Sequence, residues 1–305
     1  MIINRNAKEN ISGLNVKIGI SLLDIITPYI KDAMKREYNI FLIGADVSNK
    51  SSMRYKMQEA LKDNVNIFLP ENIFEEEIFL REHNLLSLEN ILAKSVDAVV
   101  MCIESPGSFT ELGAFSNHLE LNKKLIVCPD KKYERAKSFI NLGPIKYLKQ
   151  NTDSIVFPIH YDEEFGEEEV QTLVKHIRTI KKGNHKVNYD LFNPIFAERF
   201  ILALLYVLDH IDKQTIIEII KNIDFIKNSS NSKEGHRKKE QIISVVNSSL
   251  STLSQKKELV FNFNKRLYSL SNKGKNRLRM EYPPKFIYNF LDGYRIKVLN
   301  FQLRK

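Results

Sequence analysis

Short apolar runs alternate with amphipathic stretches through the first three fifths of the chain. The runs at 38–44, 65–70, 98–103, 124–129 and 154–159 are rich in Ile, Val, Leu and Phe. Each has the length and the near absence of charge of a strand buried on both faces. Between them, 51–63, 85–95 and 167–182 place apolar residues at helical spacing, a further helix starts at about Ser108, and 133–149 mixes helix and turn. A lead-in helix over 16–36 carries Ile18, Leu22, Ile25, Ile26 and Ile30 on one side and is expected to break or kink around Pro28. Five strands alternating with helices predict an α/β domain with a parallel, Rossmann-like sheet covered on both faces. The order of the strands is not legible from this pattern.

The β rhythm stops at the polar stretch 182–193, which divides the chain into an α/β domain, 1–182, and a mostly α-helical domain, 183–305. Helices are predicted over 194–209, 214–227 and 240–254, with a polar loop at 228–239 as the segment most prone to disorder. Two β-rich stretches follow, 259–263 and 267–270, joined by Asn264, Lys265 and Arg266. Three helices and a basic-tipped hairpin are the layout of a winged helix-turn-helix, whose third helix and wing face nucleic acid.

Charge sharpens this division. From residue 183 onward 22 Lys plus Arg stand against 11 Asp plus Glu, a balance of +11; the residues before it hold 24 and 26, a balance of −2. Such asymmetry points to a polyanion met by the second domain alone. Lys238, Lys239, Lys256, Lys257, Lys265, Arg266, Lys273, Lys275, Arg277 and Arg279 are the candidate phosphate contacts. A solvated cationic face, or a protein-docking face, would have the same composition. No stretch approaches the ~20 uncharged apolar residues of a membrane helix, and the first residues lack a secretory core, so a soluble cytoplasmic protein without membrane contact is expected. Cys102 and Cys128 lie in buried-strand runs and read as core residues, not a disulfide; no His, Cys or acid spacing suggests a metal.

The densest chemistry lies in SVDAVVMCIESPGSFTELGAFSN, 95–117. A strand runs into Pro106-Gly107-Ser108 and then a helix, which places polar groups at the carboxyl edge of the sheet, where open α/β folds hold ligands. Glu111 is expected in the first turn of that helix, with Glu104 at the end of the strand. The bland alternatives are a helix-dipole role for Glu111 and a capping role for Ser108. Two acids flanking one turn favour a site.

The runs FLIGADVSN, IFLPENIF, HNLLSLENILAKSVDAVVMCIESPGSFTELGAFSN and KKLIVCPDKKYERAKSFINLGPIKYLK closely resemble the effector proteins of type II bacterial retrons. These join a nucleoside deoxyribosyltransferase-like domain to a winged-helix domain. The resemblance is dense over 38–150 and beyond about 190 rests on AERF at 197–200 and on helix order. It implies an antiphage-defence role in complex with a reverse transcriptase and its branched RNA-linked DNA (msDNA), and NAD hydrolysis on triggering. The Gly-Thr-x-x-Glu motif of the deoxyribosyltransferases stands here as Gly107-Ser108-Phe109-Thr110-Glu111, which places Glu111 at the nucleophile position. The family's Asp two residues before the Gly, and its Asp-Gly pair at the strand end, are replaced by Ser105 and Glu104-Ser105.

On this resemblance Glu111 would face the anomeric carbon, with Glu104 as the second catalytic acid. Gly44, Asp46, Glu71, Gly107 and Ser108 would contact sugar, base or phosphate, although Glu71 is equally suited to capping. NAD enters as substrate, and no cofactor is expected. A cationic nicotinamide needs no general acid to leave, so one placed carboxylate suffices. The alternative from another class is a nucleic-acid-binding regulator whose first domain only senses a nucleotide.

Overall fold

The computed structural model describes residues 5–46, 48–69, 94–183, 187–228 and 234–303, with side chains described in these stretches except at 5–12, 224–240 and 301–303. Contacts divide the chain into two compact units, residues 34–188 and residues 1–33 with 189–305. The first helix, α1 (Arg5–Arg36), thus groups up to residue 33 with the C-terminal elements, whereas its sequence position suggested a lead-in to the sheet. The reason is its apolar stripe. Ile18, Leu22, Ile26 and Ile30 are buried, and the chain comes so close at Gly19 that a Cβ there would stand 2.4 Å from the Ile219 side chain.

α1 also runs unbroken through Pro28, the predicted kink. Over Gly13–Arg36 it is long and apolar enough to cross a bilayer by length and composition, although Lys17, Asp24, Lys31 and Asp32 interrupt it, so it is not a run of ~20 uncharged residues. Its apolar side is used within the protein instead.

In the first unit, β1 (Asn39–Ile43) leads through α2 (Met53–Leu61) to β2 (Asn66–Phe68). After a stretch outside the described residues come β3 (Ala98–Cys102), α3 (Pro106–Ser116), β4 (Leu125–Cys128), α4 (Lys146–Asn151), β5 (Ile155–Val156) and α5 (Glu167–Lys182). All five predicted strands form, each shorter than expected, β3 only at its carboxyl end; most of the predicted helix at 85–95 lies outside the described residues.

The strands pair in parallel in the order β2-β1-β3-β4-β5. One face, with Ile40, Leu42, Ala98, Val100 and Ile126, packs against Met53, Met57 and Leu61 of α2 and Val170, Leu173, Ile177 and Ile180 of α5. Phe41, Val99, Met101 and Val127, of the opposite parity, are buried as well, which explains why the strands read as continuous apolar runs. In α5, Glu167, Glu168 and Glu169 open the helix and Lys181 and Lys182 close it, complementing its dipole. The chain order reverses between β1 and β3, so the crevice of this sheet lies at their carboxyl ends.

The second unit is built on α6 (Pro194–Leu208), every residue of which is buried. Around it stand α7 (Lys213–Asn228), α8 (Glu234–Gln255), a hairpin of β6 (Leu259–Asn262) and β7 (Leu267–Leu270), α9 (Asn272–Glu281) and α10 (Asp292–Leu303). α8 begins at Glu234, inside the stretch expected to be a loop, and α9 and α10 had no counterpart in the sequence reading. Ile211, between α6 and α7, exchanges two backbone hydrogen bonds with Tyr268 of β7, at 3.2 and 2.8 Å. The order is therefore helix, bridging residue, helix, helix, hairpin.

Candidate active site

α3 starts two residues earlier than the sequence suggested. Ser105 is its cap and Pro106 its first residue, a position where proline costs no hydrogen bond. The Ser105 hydroxyl accepts from the Ser108 amide at 3.2 Å and donates to the Gly44 carbonyl at 3.2 Å. Glu111 consequently falls in the second turn, and the dipole argument for a first-turn acid does not apply to it. It is half-buried, beside the buried stripe of Ser108, Leu112 and Phe115.

Ser108 is fully buried. Its hydroxyl accepts from the amides of Glu104 and Ser105, at 3.1 and 3.0 Å, and donates to the Ser105 carbonyl at 2.8 Å. It is the clasp of the turn. Gly107 is exposed at the second position of α3, where a Cβ would meet nothing closer than Ser105 Oγ at 3.8 Å.

Glu104 follows β3 by two residues and reaches across to the segment that leaves β1. Its Oε1 accepts from the amides of Ala45, at 3.1 Å, and Arg54, at 3.0 Å; its Oε2 accepts from the Met53 amide at 2.8 Å. The first two amides of α2 are thereby closed by a carboxylate, the charge their dipole favours. Both oxygens serve the loop between β1 and α2.

Arg54, almost wholly buried, donates from Nη1 to the Ala45 carbonyl at 2.8 Å and completes this anchor. Gly44 lies within it: a Cβ there would stand 2.9 Å from both Arg54 Cβ and Glu104 Oε1 and 3.0 Å from Cys102 Cβ. Gly44→Ala is therefore expected to cost roughly 1–3 kcal/mol, read from the urea midpoint, while Gly107→Ala leaves that midpoint in place.

Asp46 lies exposed in the same loop. Its Oδ1 accepts from the hydroxyl and amide of Ser48, at 2.5 and 2.7 Å, and these bonds hold its carboxyl below the usual range. Tyr161 was not singled out in the sequence. Its hydroxyl donates to the Cys128 carbonyl at the end of β4, at 2.5 Å, and burial pushes its pKa upward. Glu71 lies outside the described residues.

A cavity of about 220 Å³ opens farther along the sheet, beyond β4 and β5, lined by Pro129, Ile145, Lys146, Lys149 and Pro158. None of the residues singled out in the sequence lines it. Among the described residues, no three His, Cys, Asp or Glu side chains gather as a metal ion requires.

In the second unit the candidate cations separate into two groups. Lys256 meets the buried Glu198 at 3.0 Å, and Arg277 meets Glu198 and Glu258 at 2.6 Å each and Glu281 at 2.8 Å. These two cations bind their own protein. Burial alone would raise Glu198, but Lys256 and Arg277 outweigh it and bring it down to about 2. Lys257, Lys265, Arg266, Lys273 and Arg279 are exposed, and Lys275 is half-buried. Lys238 and Lys239 lie on α8, with side chains outside the described residues.

The sheet order, the crevice between β1 and β3 and the helical second unit define an α/β protein of Rossmann-like architecture joined to a helical domain. The profile of the STM3845 retron effector protein matches residues 50–260, well over half of the chain, and the chain belongs to that retron effector family. It is similar to two Escherichia coli proteins. The "Retron Ec86 putative ribosyltransferase/DNA-binding protein" is 39% identical over 194 residues, 59% of this chain and 63% of that protein. The "Retron Ec73 putative ribosyltransferase/DNA-binding protein" is 31% identical over 208 residues, 60% of this chain and 66% of that protein. The chain thus spans a little under two thirds of the length of each relative.

Proposed function

We propose that this retron effector cleaves an N-glycosidic bond, most directly that of NAD, giving nicotinamide and ADP-ribose, with Glu111 at the anomeric carbon. The observation carrying this reading is the position of Glu111. It stands half-buried in the second turn of the helix that leaves the switch point of the sheet, past a cap clasped by Ser105 and Ser108. The names of the two relatives, which describe ribosyl transfer, support the same class of chemistry.

In the proposed reaction the carboxylate of Glu111 supports positive charge as the bond to nicotinamide breaks, as an ester or an ion pair. Water then adds to the sugar, and its proton leaves to solvent. Glu104 acts through the loop it anchors, the loop that also holds Asp46. The cations of the second unit that, among the described residues, no acid of its own engages dock the msDNA held by a reverse transcriptase, in a complex that keeps the enzyme inactive; the exposed Lys257, Lys265, Arg266 and Lys273 and the half-buried Lys275 are the contacts, in a unit whose element order follows a winged helix. Mass spectrometry of nucleotide pools in cells producing the protein without its partners tests the reading. NAD should fall as nicotinamide and ADP-ribose rise. Constant NAD with falling deoxynucleosides would transfer the reading to nucleosides, and no change in any pool would end it.

A further inference from the structure

The hairpin has two properties that an ordinary cationic wing does not require. First, it carries a row of aromatic rings. Phe261 and Tyr268 are register partners, their ring centroids 4.6 Å apart, and Phe263, two residues on, meets Phe261 edge-on at 4.9 Å. Pairing parity puts all three on one face, which grades from the buried Leu270 through half-buried Phe261 and Tyr268 to Phe263 at the tip, 82% exposed. A phenylalanine that open to water at the end of a strand gains little from the fold beyond its edge contact with Phe261.

Second, the charge carried by the hairpin's own stretch of chain is positive. Residues 259–280 hold six Lys or Arg and no Asp or Glu. Of these, Arg277 is consumed internally, while Lys265 and Arg266 stand exposed next to Phe263 in the turn. Arg266 adopts a left-handed φ of 55°, and the Lys265 amide is tied to Asn262 Oδ1 at 3.1 Å, so the turn that displays them has a defined shape.

We infer that this hairpin is a platform for unpaired nucleobases, on which Phe263 stacks with a base while Lys265 and Arg266 hold the flanking phosphates. The inference rests on the reading that the second unit meets nucleic acid and narrows it to a single-stranded segment. A duplex keeps its base faces stacked inside and would engage the cations without the ring; a single strand offers π-faces and phosphates together, the two features juxtaposed here.

The test uses the full chain and fluorescence anisotropy with an oligothymidylate of about 20 nucleotides and a duplex of equal length. The single strand should bind more tightly. Phe263→Ala should weaken its binding by about tenfold or more without changing the salt slope, whereas Lys265→Glu with Arg266→Glu should lower that slope. The chain contains no tryptophan, so Phe263→Trp introduces a single reporter. Its emission should be quenched by oligothymidylate and not by an abasic strand of the same length. Wild-type affinity in Phe263→Ala, preference for the duplex, or unchanged Trp emission in a saturated complex would overturn the platform while leaving nucleic-acid docking in place. Absence of binding to either nucleic acid would remove both and turn the hairpin toward a protein partner.

Discussion

Glu111→Gln is expected to lower nicotinamide release from NAD by at least about 10²-fold while the melting temperature stays where it was. The substitution is isosteric, and Glu111 is only half-buried on a helix held by its cap and by Leu112 and Phe115. What disappears is the charge that would face the anomeric carbon. Glu104→Gln provides the contrast. It removes a charge that accepts three backbone amides, so activity and stability should fall together, by about 1–3 kcal/mol in the urea midpoint. If Glu111→Gln turned over NAD at the wild-type rate, the catalytic assignment would be lost. If Glu104→Gln lost activity at full stability, Glu104 would belong with the reacting groups.

Arg277→Ala should have the largest effect on folding, about 3–5 kcal/mol. The guanidinium serves Glu198, Glu258 and Glu281 at once, and Glu198 is only 3% exposed. Removing it leaves buried carboxylates with too little positive charge. The pH dependence has a definite sign. Glu198 has an ordinary value of 4.5 and is brought down to about 2, so its contribution is full above the ordinary value and is lost as pH falls toward 2; the integrated amount is about 3 kcal/mol. In the variant Lys256 still lowers Glu198, but the part of the shift that Arg277 supplies is lost. The gap between wild type and Arg277→Ala, followed by urea unfolding, should therefore be widest near neutrality and narrow below pH ~4. A gap that does not vary with pH would show that packing, not this carboxylate, carries the loss.

The elements most legible in the sequence were those whose burial is symmetric. β1, β3 and β4 are buried on both faces and announced themselves as unbroken apolar runs. The strand-to-helix junction was legible because its residues act on near neighbours, although Pro106, Gly107 and Ser108, expected as a turn, are the first residues of α3. What escaped were contacts between distant positions. Glu104 binds amides 50, 51 and 59 residues away, so its anchoring role had no local signature. Arg54 was not singled out in the sequence, yet it is buried beside Gly44. Lys256 and Arg277 read as open cations because their partner Glu198 precedes them by 58 and 79 residues. The alliance of α1 with α7 hid for the same reason, at 200 residues from Gly19 to Ile219.

The two thiols give the sheet a built-in clock. Cys102 and Cys128 are register partners at the ends of β3 and β4, both fully buried, and burial pushes each thiol above its ordinary range. A disulfide-exchange reagent needs a thiolate it can touch. It reaches these sulfurs only in molecules whose central strands have parted, so the labelling rate of the native protein counts how often the floor of the crevice opens.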